Sequence, residues 1–261
     1  MSVFGERILQ GKVAVVTGGG SGIGAGIARL LARQGASVAL MGRRAEKLDE
    51  VAGQIRAEGG TALTLPGDVR DWNRVNESVE QAVAELGGLD IVVNGAAGNF
   101  PVPASQLSSN GFKAVMDIDL LGTFHVCRAA FEPLSRRGGG AIVSITATQS
   151  FVPTMLQAHV GAAKAGIEKL TKDLALEWGS FGIRVNTLAP GPVEGTEGMA
   201  RLAPGDMATD LKGRMPLRRY ASIDEIAHGV LFLVSPAGSF ITGSMLLMDG
   251  GMSLLGGRLF D

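Results

Sequence analysis

The run Val13-Ala-Val-Val-Thr-Gly-Gly-Gly-Ser-Gly-Ile-Gly24 sets an apolar, β-branched segment directly before a glycine-rich turn. Behind the turn, Ile27-Ala-Arg-Leu-Leu-Ala-Arg33 has the apolar spacing of a helix. Gly18, Gly22 and Gly24 permit a tight bend and a close backbone approach. With Gly20, Ser21 and Ile23 they form a loop that leaves a helix N-terminus free to face a pyrophosphate. The first gap is wider than in the general G-x-G-x-x-G dinucleotide fingerprint. A plain turn would also explain a glycine cluster; the strand before it and the helix after it favour a nucleotide.

Outward from this unit the same alternation repeats. Ser37-Val-Ala-Leu-Met41, Ala62-Leu-Thr-Leu65, Ile91-Val-Val93, Ala141-Ile-Val-Ser-Ile145, Arg184-Val-Asn-Thr-Leu188 and Met245-Leu-Leu-Met248 read as further strands. Helical periodicity marks Arg74 to Leu86, Gly111 to Ser135 and Gly161 to Trp178. Seven strands joined by helical crossovers predict an α/β protein: a single doubly wound, Rossmann-type domain with a seven-stranded parallel sheet over residues 1–261. The segment from Gly191 to Pro216, rich in glycine and proline, follows the sixth strand, where loops cover ligands in open α/β sheets. A substrate lid over about 191–216 is expected there.

A net charge of −1, with 46% hydrophobic and 19% charged residues, describes a globular chain without a strong field of either sign. Nucleic acid and anionic membrane are therefore not expected as partners. Charges close to Met1 and the absence of a long apolar run argue against a secretory signal or a membrane span, and the ending Gly-Gly-Arg-Leu-Phe-Asp261 is no peroxisomal Ser-Lys-Leu address. A cytosolic location is expected. The lone Cys127 has no partner for a disulfide and reads as a small buried residue; no metal-ligand spacing occurs.

The second strand ends at Met41-Gly-Arg-Arg44. An acidic residue there would bind a ribose hydroxyl and repel an added phosphate, whereas a guanidinium pairs with that phosphate. Arg43 and Arg44 thus favour NADP(H) over NAD, with Arg43 nearer the strand end; simple helix-surface arginines are the alternative. The glycine spacing resembles the short-chain dehydrogenase/reductase family. That resemblance implies that Asp68 and Val69 flank the adenine, that Asn94 and Ala96 in Asn94-Gly-Ala-Ala-Gly98 let the cofactor lie against the backbone, and that Pro190, Gly191 and Val193 contact it late in the chain. Asp68 as a solvent-exposed turn residue, and Asn94 as a sheet stabiliser, remain open alternatives.

Ordinary family members carry Tyr-x-x-x-Lys on one helix face, where lysine lowers the tyrosine pKa and holds the nicotinamide ribose. Lys164 fits the lysine slot, yet Val160 stands where the tyrosine belongs, and the only tyrosine of the chain is Tyr220. Ala147 occupies the place of the usual serine. His159 lies five residues before Lys164, about 140° away around a helix, which favours capping or packing. Asp119 stands where the family has a helix asparagine; beside the Lys164 ammonium it would stay ionised and could hold a water between them as proton donor. Asp117 competes but points to another face, and a surface carboxylate is the alternative for Asp119.

These departures resemble the peroxisomal-type 2,4-dienoyl-CoA reductases. The match runs through Asn94-Gly-Ala-Ala-Gly-Asn-Phe100, Val115-Met-Asp-Ile-Asp119, Ile145-Thr-Ala-Thr148, His159-Val-Gly-Ala-Ala-Lys164, Leu188-Ala-Pro-Gly-Pro192 and Gly195-Thr-Glu-Gly198. It implies Asp119 and Lys164 as catalytic residues, NADPH as reductant, an acyl-CoA substrate and a 3-enoyl-CoA product. It also sets Asn99, Phe100 and Thr148 beside the acyl chain, starts the lid at Thr196 and Glu197, and implies a homodimer or homotetramer. Arg201 and Arg219, with Lys212, Arg214 and Arg218, are candidates for the CoA phosphates. Other readings are a reductase of 3-oxoacyl thioesters or ketones, and a non-catalytic NADP-binding protein.

Overall fold

The computed structural model describes residue 5, residues 7–202 and residues 206–257, apart from the side chains of 200–209 and 256–257. Seven strands, β1 (Val13–Thr17), β2 (Ser37–Gly42), β3 (Thr61–Pro66), β4 (Ile91–Asn94), β5 (Gly140–Ile145), β6 (Ile183–Pro190) and β7 (Met245–Met248), form one all-parallel sheet in the order β3-β2-β1-β4-β5-β6-β7. Burial on both faces explains the near-continuous apolar runs: alternate residues of β1 feed two separate cores, Ala14 and Val16 on one side and Val15 on the other.

On the first face pack α1 (Gly22–Arg33), α2 (Ala45–Ala57) and α9 (Ile223–Val234); on the second, α3 (Trp72–Leu86), α5 (Gly122–Arg136) and α6 (Ala158–Trp178). Local chemistry starts and ends these helices. Asp71 caps α3 by accepting from Arg74 N–H, Gly87 ends it in the left-handed region at φ 85°, and Ser222 with Glu225 forms a capping box on α9.

Strand order reverses between β1 and β4, so the crevice at their carboxyl ends is the topological switch point where open α/β sheets bind ligands. The last residue pair of that ladder is Thr17 and Asn94. Every strand boundary falls within two residues of its sequence expectation.

Two segments differ from expectation. Gly111 to Ser135 is not one regular helix: α4 (Ser109–Val115) passes into a π-helical turn at Met116–Leu121 before α5 begins. The proposed lid segment contains two short helices, α7 (Glu197–Leu202) and α8 (Asp206–Arg214). Among the described residues, no helix is long and apolar enough to cross a membrane, and no group of side chains is arranged to hold a metal.

Candidate active site

The glycine turn is built for close backbone approach. Gly18 has φ 67°, and a Cβ there would lie 2.6 Å from the Gly95 carbonyl oxygen; one on Gly24 would lie 2.3 Å from that of Gly18. The turn therefore sits directly against the loop that follows β4. Thr17 Oγ1 fixes that loop, accepting from the N–H groups of Gly95 and Ala96 at 3.1 and 3.2 Å. Gly20, Ser21, Gly22 and Ile23 bring the chain to the start of α1, whose first N–H groups have no intrahelical partner.

Arg43 is exposed and has no hydrogen bond or ion pair with any described residue, while its charge helps hold Asp68 ionised. Arg44 is engaged: it donates to Ser21 Oγ at 3.1 Å and pairs with Glu197 at 3.2 Å. Asp68 is bound by Arg70 at 2.6 Å, which, more than Arg43, keeps its carboxyl below the usual range, and Val69 is buried beneath it. Asn94 donates to Ser144 Oγ at 3.1 Å and Cys127 Sγ at 3.3 Å, the contacts of the sheet-stabilising alternative to its expected place beside the cofactor. Pro190 ends β6, Gly191 passes so close to Asp249 that a Cβ would meet its Cα at 2.8 Å, and Val193 is buried.

The chemistry-bearing pair lies below this loop. Lys164, on α6, meets Asp119 Oδ2 at 3.0 Å as an ion pair lying off hydrogen-bond alignment, and its ammonium also donates to the Ile145 carbonyl at 3.1 Å. The other carboxylate oxygen of Asp119 accepts from Gly98 N–H at 2.7 Å. Asp119 is 0% and Lys164 6% exposed. Two backbone contacts that sequence spacing cannot reveal thus complete a buried pair and anchor it to the ends of β4 and β5. The π-helical turn supplies Asp119 to this position, consistent with the frequent use of such turns at functional sites. Asp117 instead pairs with Lys113 at the surface, so the competing assignment falls away.

At the places of the usual phenol and serine, Val160 is buried against Val115 and Ala163, and Ala147 precedes a short turn at Thr148–Ser150. Thr148 is buried at that turn, and Phe100 lies partly exposed at the mouth of the site. His159 is not the cap, a place held by Gln157; its ring is buried and packs against Phe100 with the centroids 4.4 Å apart. Burial lowers its pKa, partly opposed by the Phe100 backbone and the Asp119 charge.

The expected substrate residues separate. Asn99 and Phe100 directly follow Gly98, which holds Asp119, and Thr148 lies on the turn that packs on α6, whereas Thr196 packs over the glycine turn, 3.9 Å from where a Gly22 Cβ would stand, and Glu197 reaches Arg44. Both residues expected to start the lid thus stand at the glycine-turn end of the site. Arg219 is held doubly by Glu225 at 2.7 Å, and the side chain of Arg201 lies outside the described residues.

A family model described as enoyl-(acyl carrier protein) reductase matches residues 18–253. The chain belongs to this short-chain dehydrogenase/reductase family. It is an oxidoreductase with the family's nicotinamide-dinucleotide site. It is 47% identical to the peroxisomal 2,4-dienoyl-CoA reductase [(3E)-enoyl-CoA-producing] of Rattus norvegicus, over 95% of this chain and 86% of that protein. Among solved structures, a dehydrogenase/reductase from Sinorhizobium meliloti superposes with a TM-score of 0.88 at 36% identity, covering 94% of this chain and 97% of that one. A gluconate 5-dehydrogenase from Burkholderia cenocepacia, solved with NADP and tartrate, superposes at 0.89 with 32% identity over 95% of this oxidoreductase and 98% of its own chain.

Proposed function

We propose that the chain uses NADPH to reduce 2,4-dienoyl-CoA thioesters to 3-enoyl-CoA. The observation that carries the reading is the buried Asp119–Lys164 pair in a site whose phenol position is a valine. The glycine cradle fits a dinucleotide, and the exposed Arg43 guanidinium, without a hydrogen bond or ion pair among the described residues, fits a phosphate on its adenosine ribose. When bound, reduced nicotinamide supplies a hydride.

Addition at the δ-carbon of a dienoyl thioester spreads negative charge to the thioester oxygen, and the proton must then go to carbon. A phenol aimed at a carbonyl oxygen is not needed for that step. Lys164, fixed by Ile145 and Asp119, offers a positive charge to the developing enolate, and the pair can orient a water toward the α-carbon. Phe100 and Asn99 border the acyl chain. For the CoA phosphates, Lys212 and Arg219 are engaged with Glu194 and Glu225, which leaves Arg218, exposed and without a charged partner among the described residues, as the better candidate.

The test is anaerobic incubation with NADPH and a dienoyl-CoA in heavy water. The cofactor and dienoyl absorbance bands should fall together, with deuterium entering the α-carbon. Consumption of a 3-oxoacyl-CoA but not the dienoyl-CoA would replace this reading with carbonyl reduction. Consumption of neither would leave a nucleotide-binding protein.

A further inference from the structure

We infer that Glu168 is a positioning residue, a staple that fixes the Ile145 carbonyl and so sets where Lys164 holds its charge. Glu168 lies on α6 four residues after Lys164, on the same face of the helix. Its two carboxylate oxygens are divided between neighbouring strands: Oε1 accepts from Thr146 Oγ1 and Oε2 from Thr187 Oγ1, both at 2.7 Å. A hydroxyl donating to an ionised oxygen at this distance makes one of the stronger hydrogen bonds. Both threonines are buried, and Glu168 is itself half-buried. The Lys164 ammonium pairs with Asp119, which leaves the Glu168 carboxylate to the two hydroxyls. Strand alternation explains why these meet. Ile142 of β5 and Val185 of β6 belong to the core that α6 covers, and Thr146 and Thr187, an even number of residues beyond them, point the same way.

What the staple holds is one peptide plane. The amide joining Ile145 to Thr146 gives its N–H to the Leu188 carbonyl at 2.9 Å, and its own carbonyl accepts from Lys164 Nζ at 3.1 Å. In a trans amide these two groups point in opposite directions. The N–H faces β6, so the carbonyl faces the side of β4, beyond which Gly98 N–H holds Asp119. Glu168 grips the residue that owns this N–H and the residue before its acceptor, and thereby clamps both sides of the bond from which the carbonyl takes its aim. The clamp acts where the ladder runs out: β4 pairs with β5 only as far as Ser144, and the chain turns at Thr148–Ser150. This rests on the dienoyl-CoA reading, in which Lys164 must meet charge developing on the thioester oxygen. Misplacing such a group by about 1 Å can cost about a hundredfold in rate.

Activity and structure test the staple separately. Glu168→Ala removes it, and kcat for a dienoyl-CoA should fall by about ten- to a hundredfold while KM and NADPH affinity stay within about threefold. Glu168→Gln, whose amide can still accept from one hydroxyl and donate to the other, should restore kcat to within about threefold of wild type. Should Glu168→Ala not fold, Thr146→Val removes one arm at similar shape and should lower kcat by about fivefold or more. In a Lys164→Ala background, removing Glu168 should cost less than about a further twofold, because a residue that acts through Lys164 has nothing left to position. A merely structural loss would lower both backgrounds alike. Full kcat in Glu168→Ala or Thr146→Val, equal losses in Glu168→Ala and Glu168→Gln, or additive losses with Lys164→Ala would overturn the inference. If wild type fails to reduce dienoyl-CoA, the functional reading has failed, and crystal structures of the variants then decide. The Lys164–Ile145 hydrogen bond should be lost in Glu168→Ala and kept in Glu168→Gln; its persistence in both would refute the staple.

Discussion

Asp119 and Lys164 stabilise each other as a buried pair, which makes their substitutions non-additive in two separate quantities. Asp119→Ala and Lys164→Ala should each lower dienoyl-CoA turnover by about 10²–10⁴-fold, while the double variant loses little more. Stability should move differently. Asp119→Ala leaves the Lys164 ammonium buried and uncompensated, a loss of about 3–5 kcal/mol, and removing the ammonium as well should recover part of it in urea titrations. Full turnover by Asp119→Ala would exclude the pair from the chemistry. For Arg43, reversal of charge in Arg43→Asp should weaken NADPH by about tenfold or more and leave NADH nearly unchanged, as measured by cofactor fluorescence. Equal weakening of both would reduce Arg43 to a surface residue. The identities of these three residues were legible because each replaces or retains a group at a motif position. The tether from Gly98 N–H to Asp119 was not legible, since it depends on segments far apart in sequence meeting in space.

The elements show where helical reasoning from sequence stops. Strands were recoverable because burial on both faces leaves an unbroken apolar run. The π-helical turn was not: it widens one turn without altering composition, yet it rotates the residues that follow and sets Asp119 toward Lys164. Helices α7 and α8 were hidden by the glycines and prolines around them, which read as loop. Two glycines separate conformational permissiveness from steric need. Gly53 lies exposed within α2 with nothing near its missing Cβ, so Gly53→Ala should raise unfolding free energy by about 0.5–1 kcal/mol. Gly24 faces the Gly18 backbone, which cannot swing aside as a side chain would. Gly24→Ala should therefore cost about 1–3 kcal/mol of stability and weaken both nicotinamide cofactors together. A Gly24→Ala protein with unchanged melting and cofactor affinity would contradict the cradle geometry.

Among the described residues, two of the regions with uncovered apolar side chains lie on regular elements of the fold. Phe112 and Phe124 flank the π-helical turn, while Met245 and Leu247 lie on the edge strand β7 and Phe240 shortly before it. Several large apolar side chains exposed together are unusual for a monomer, so we expect a homodimer or homotetramer, and light scattering that finds only monomer at micromolar concentration would disprove it. The opposite situation holds for Cys127, 1% exposed beneath Asn94, where burial pushes the thiol up to about 12. No thiolate is then available to an alkylating reagent while the sheet and α5 stay closed. The single sulfhydryl is a built-in reporter of opening: iodoacetamide should trap it only in molecules whose domain has opened, so the trapping rate in native buffer reads the opening equilibrium while reclosing outpaces alkylation, and levels off at the unfolding rate once reagent is raised until alkylation wins.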